Sequence, residues 1–175
     1  MTAITPEQAA LLLQLELQAL KNEHAVTKRV IQAIPLDHGD YRPDPQSKTA
    51  LELAWHIAAT EQRLLSGVAA GKFEFAPIHR PETVKNSQDI ANWFSQSFAP
   101  NLPHLAALSG SEAAKIIDFR GAFQLPAVFF LRFAQNHSIH HRGQLSTYLR
   151  AMGGRVPAIY GESYDSAEAK KSAQA

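Results

Sequence analysis

The 175 residues, 45% apolar and 19% charged, are enough for one domain with its own core and argue against extended disorder. Lys and Arg number 17 against 16 Asp and Glu, too even a balance to attract nucleic acid or an anionic membrane surface, so neither is an expected partner. Cysteine is absent, which excludes disulfides, thiolate metal sites and cysteine nucleophiles; any thiol chemistry must use an external thiol.

The opening Met1 to Gln8 lacks a basic stretch followed by an apolar run, and no segment approaches ~18 uninterrupted apolar residues. A soluble, cytoplasmic protein is therefore expected. The first helix is announced by Thr5 as N-cap, Pro6 at the first helical position and Gln8 completing a capping box. Its core stripe is read from Leu11, Leu12, Leu15, Leu20, Val26, Val30, Ile31 and Ile34, and Pro35 ends it. Asp37 to Gln46 follows as a loop with three Asp, two Pro and one Gly. The second helix starts at Ser47 or Thr49, since Thr49 and Glu52 have capping-box spacing, and it stops near Gly71.

Lys72 to Asn86, with Pro77 and Pro81, reads as an irregular connection. Ser87 is the expected cap of a third helix that carries Ile90, Trp93, Phe94 and Phe98 on its apolar side, and Pro100 and Pro103 should break it. Ala114 to Gly121 is short, apolar and compatible with extended structure. The last helix opens around Pro126 and stops at Met152 before Gly153 and Gly154. Four long amphipathic segments imply an all-α bundle. One domain is expected over residues 1–165, with 166–175 as a disordered tail rich in Ala, Lys, Ser and Gln.

Eight histidines stand out, three of them at His137, His140 and His141. At ~100° per residue, Phe130, Ala134, His137, His141, Gln144, Tyr148 and Met152 share one stripe of the last helix, while Arg132, Gln135 and Arg142 fall on the opposite, solvated side. Histidines at i and i+4 can converge on one ion; His140 is turned away from that pair. A third ligand must come from another helix. His56, beside Leu53, Ile57 and Thr60, is the first candidate and His24 the second. The alternative is that these are hydrogen-bonded core histidines, but three buried imidazoles from two helices need partners, and a metal supplies one to all three.

The run Asn136 to Leu145 (NHSIHHRGQL) resembles the last-helix signature of the DinB/YfiT-like superfamily, in which the outer two histidines bind metal. Thr27 to Pro35 (TKRVIQAIP), Leu51 to His56 (LELAWH) and Gly153 to Asp165 (GGRVPAIYGESYD) are similar to further family segments, in the family's order. The resemblance implies an up-and-down four-helix bundle with a long crossover connection, a three-histidine metal site at His56, His137 and His141, and a homodimer. Some relatives transfer low-molecular-weight thiols such as bacillithiol, or use mycothiol in an isomerisation, so the resemblance implies a metal-dependent thiol transferase acting on a small-molecule substrate.

Three neutral imidazoles leave positions open on Zn²⁺, Ni²⁺ or Mn²⁺, with zinc the expected ion, and a water or thiol bound there is a nucleophile at neutral pH. A hydrolase and a noncatalytic, metal-binding stress-response bundle are the alternatives. Gln144 and Tyr148 continue the histidine stripe and are candidate pocket-lining catalytic residues. Arg142 is read as a surface or interface residue, and Gly143 as a point of close helix contact. Tyr160 and Tyr164 are read as anchors of the tail, and Trp55 and Trp93 as core or interface aromatics.

Overall fold

The computed structural model of the chain describes residues 4–174. Helix α1 (Pro6–Gln32) starts where its sequence directs: the Thr5 hydroxyl accepts the Gln8 amide and the Gln8 side chain accepts the Thr5 amide. Thr49 and Glu52 make the same reciprocal pair at the head of α2 (Ala50–Ala70). That helix ends at Gly71, whose φ of 65° suits a residue without Cβ. Helix α3 (Ser87–Phe98) departs from the expected cap. Asn86 accepts the Asp89 amide, and Ser87, one step later, is buried and donates its hydroxyl to the Ile34 carbonyl, tying α3 to the end of α1.

After α3, two short helices, α4 (Asn101–Ala106) and α5 (Gly110–Ala114), lead into an antiparallel hairpin of β1 (Ile116–Phe119) and β2 (Phe123–Pro126), with Phe119 opposite Phe123. The long helix α6 (Phe129–Ala151) follows, and then α7 (Tyr164–Gln174). The expected disordered tail is thus helical through Gln174, with Ala175 outside the described residues. Local bonds explain this. Ser163 Oγ accepts the Ser166 amide as a cap, and Asp165 pairs with Arg150 at 2.6 Å while accepting the Val156 amide.

Helices α1, α2, α3 and α6 form the bundle, and cross-helix pairs give their directions. Glu16 meets Arg132 and Gln135, and Glu23 meets Arg142, so α1 and α6 run the same way. His24 meets Glu61 and Ser87 meets Ile34, so α2 and α3 run opposite to α1. Trp55 packs on Trp93, and Gln62 accepts from Asn101, which makes α2 and α3 parallel to each other. The long crossover at 71–86 makes this possible, because parallel neighbours need a connection that returns along the bundle.

Two apolar clusters fill the interior. One, around Leu13, Leu20, Leu64, Phe130 and Leu131, lies toward the hairpin; the other, around Ile31, Leu53, Ile57, Phe94 and Leu149, lies toward the opposite end. In α1 the inward positions are Ala9, Leu13, Glu16, Leu17, Leu20, His24, Thr27, Val30 and Ile31, with Leu20, Val30 and Ile31 as expected. Leu11 and Leu15 of the expected stripe are 60% and 59% exposed. The crowded leucines of this helix permit more than one stripe, and its true register is held by Glu16 and His24, whose partners sit on other helices.

Candidate metal centre

His137 and His141 stand one turn apart on α6, and His56 stands opposite them on α2, which runs antiparallel to α6. All three side chains are half-buried, and their ligand nitrogens lie within 4.8 Å of one another. His56 Nε2 and His137 Nε2 are 3.0 Å apart. The His141 ring is centred 4.7 Å from His56 and 4.5 Å from His137. Nε2 lone pairs this close must share either a proton or a cation. Zinc–imidazole bonds of about 2.0–2.1 Å place ligand nitrogens about 3.3 Å apart in a tetrahedral site, so small side-chain rotations bring this set onto one ion.

The protonation states agree. Burial, reinforced by the neighbouring His141, pushes His56 down to about 4, and the same causes push His137 to about 3. His141 is also lowered, chiefly by burial. Neutral imidazole is the ligating form. Gln144 Oε1 accepts from His141 Nδ1 at 2.6 Å, which fixes the tautomer and leaves the Nε2 lone pair of His141 free. His137 Nδ1 is buried and has no hydrogen-bond partner among the described residues. The donor set therefore fits a divalent ion of the zinc, nickel or manganese kind.

The other predicted site residues fall in different places. Tyr148 is buried in the core with its ring edge-on to Tyr41, and packs instead of lining a pocket. His140 is exposed beside His141. His24 is committed elsewhere: its Nδ1 donates to Glu61 Oε1 at 2.6 Å, and its ring is stacked on Phe94 and Phe98. Ser138 donates to the second Glu61 oxygen, so the centre of the bundle holds a closed polar cluster, and the three-histidine group sits off-centre at the α2–α6 seam. Gly143 is exposed and meets no neighbour, so it mediates no close helix contact.

Arg142 reverses its sequence reading. It is 1% exposed, donating to the Glu23 carboxylate at 2.7 Å, to Thr27 and to the Tyr160 hydroxyl. Gln135 is likewise buried, donating to Glu16. Helix α6 is flanked by α1 on one side and α2 on the other, so its buried arc is wider than a single stripe, and α1 supplies the carboxylates that make a buried arginine tolerable. Tyr160 also donates to Glu23, which anchors the segment after α6 as expected, although most of its ring is exposed; Tyr164 is exposed.

A cleft of ≈ 680 Å³ opens beside the histidine group, with His56 in its wall together with Trp55, Arg63 and residues of the 42–48 and 77–80 loops. The sequence reading missed it. The available signal was the spacing of His56, Thr60 and Arg63 on one face of α2. Among the described residues no helix is long and apolar enough to cross a membrane.

The DinB family model matches residues 8–173. The chain is 27% identical over 130 residues to the YjoA protein of Bacillus subtilis, covering 73% of this chain and 82% of that one. The crystal structure of the DinB-like protein YjoA superposes with a TM-score of 0.70 at 23% identity, over 85% of this chain and 99% of that one. A DinB-like protein from Bacillus cereus superposes with a TM-score of 0.70 at 26% identity, over 83% and 95% of the two chains. With the family pattern running through nearly every element that builds the bundle and the histidine group, the chain belongs to the DinB family.

Proposed function

We propose that the protein is a metal-dependent enzyme that transfers a low-molecular-weight thiol to an electrophilic small molecule, with one divalent ion, zinc by preference, held by His56, His137 and His141. The observation that carries this reading is the convergence of three imidazoles, kept neutral by burial, one of which, His56, stands in the wall of an open cleft. When bound, the ion is a Lewis acid that lowers the pKa of a coordinated thiol or water. The chain's own residues hold and orient. His137 and His141 are locked one turn apart by α6, Gln144 sets the His141 tautomer, and His56 joins the group to the cleft where a substrate can lie. Three protein ligands leave coordination positions free, which is the pattern of reactive rather than structural sites.

Protein from cells grown without added metal is expected to carry one divalent ion per chain by elemental analysis, and His137→Ala to lose it. Conjugation of a thiol panel to 1-chloro-2,4-dinitrobenzene is expected to fall at least tenfold on chelation. Full metal retention by the variant defeats the ligand assignment, and chelator-insensitive conjugation defeats the transferase reading. The open cleft admits water as readily as a thiol, so a metal-dependent hydrolase is the second reading, favoured if aryl esters turn over and no thiol does.

A further inference from the structure

The cleft beside His56 carries a charge pattern unlike the rest of the chain. Its wall holds Arg42, Lys48, Arg63 and Arg80 against one carboxylate, Glu52, although the whole protein has a net charge of only +1. That carboxylate is already occupied: Glu52 Oε2 accepts the Thr49 amide at 2.8 Å and lies 4.0 Å from Arg42 in a long, exposed pair. Lys48, Arg63 and Arg80 have no carboxylate partner among the described residues. Four cations facing a single carboxylate leave an excess of like charge, and an anionic ligand offsets their repulsion.

Arg63 is the best-held of the four. It stands two turns beyond His56 on α2, and its guanidinium is fixed by an Nη2 bond of 2.7 Å to the Ala76 carbonyl. Its Nε is buried and finds no acceptor among the described residues. A buried donor without an acceptor is unfavourable, and a shift of the Arg63 side chain toward an anionic oxygen in the cleft relieves that cost. Lys48, just before α2, lines the same cleft. Trp55 and Ile78 add apolar wall, and the volume is that of a small-ligand site.

We propose that this cleft binds a small organic anion, a carboxylate or phosphate ester with an apolar body, held by Arg63 in the positive field to which Lys48 adds, so that its body lies against Trp55 beside His56. As the substrate class of the enzyme, this rests on the metal-centre reading; as a binding site, it stands without it. The probes are phenyl phosphate, benzoate and neutral benzamide, titrated calorimetrically into the full chain as purified and again after metal removal. At least one anion is expected to bind at least tenfold more tightly than benzamide in both preparations. Arg63→Gln or Lys48→Gln is expected to weaken it at least fivefold, and the tighter anion identifies the group recognised. Lys48 is exposed, so its variant keeps the test valid if the Arg63 variant does not fold. Any other pattern of binding overturns the proposal. Anion binding by a chain that takes up no metal removes the metal reading alone; metal uptake without selective anion binding removes the cleft assignment alone.

Discussion

Arg142 shows how a residue beside the candidate ligands can serve the fold. Its guanidinium bridges α1 and the segment after α6 through Glu23, Thr27 and the Tyr160 hydroxyl, so its loss removes hydrogen bonds to three residues. Arg142→Met keeps much of the volume and is expected to lower unfolding free energy by about 3 kcal/mol, the lower end of the range for a broken buried pair because Glu23 reaches solvent. Tyr160→Phe, which deletes one hydroxyl, should cost about 1 kcal/mol. Urea denaturation of both variants checks the ordering. This role was illegible in the sequence because a helical wheel places Arg142 relative to its own helix only, whereas its burial depends on carboxylates from a helix more than a hundred residues away. The convergence of His137 and His141 was legible because their spacing is internal to α6, and that of His56 because it interrupts an apolar face of α2.

Local bonds set the element boundaries, and local bonds are what a sequence states best. Thr5 with Gln8 and Thr49 with Glu52 are four-residue signals, and both helices start where those residues direct. The start of α3 is a closer contest, since Asn86 and Ser87 are both good caps. Asn86 takes the position because Asp89, three residues on, completes the reciprocal pair, and Ser87 is then free to bond the Ile34 carbonyl. Asn86→Ala is expected to lose about 1 kcal/mol, with Asn86→Ser recovering most of it, by denaturant midpoint. If Asn86→Ala leaves the midpoint unchanged, the cap is not contributing. The hairpin of β1 and β2 was only half visible, because Ala114 to Gly121 reads as one extended stretch and its partner strand begins in residues that resemble the approach to α6. Helix α7 was hidden by composition: its polar sequence buries little, and its anchors, Ser163 and the Arg150–Asp165 pair, are pairwise contacts.

At the scale of the whole molecule, the stability of the bundle must answer to the histidines it desolvates. In the metal-free protein His56 and His137 stay neutral until the pH falls to about 4 and about 3, because burial penalises their charged forms. In the unfolded chain each takes up a proton near its ordinary value, about 6.5. Between those limits the unfolded state binds more protons than the folded one, so stability falls as the pH drops. The sign is that of any group with a depressed folded pKa: its contribution is present above about 6.5 and lost on acidification toward the folded values. Urea midpoints of chelator-treated protein should therefore decline from about pH 6.5 toward pH 4, and the decline should be shallower in His56→Gln, His137→Gln and most of all in the double variant. A metal held by this histidine group requires its folded, deprotonated form, so on the proposed reading saturating zinc should raise the midpoint at pH 7.5 in a concentration-dependent way, and this increment should shrink with acid as protons compete for the same nitrogens. A double variant with an unchanged acid slope would show that these imidazoles are better solvated than their positions between α2 and α6 imply, and the physical basis for a neutral, ion-ready site would fail with it.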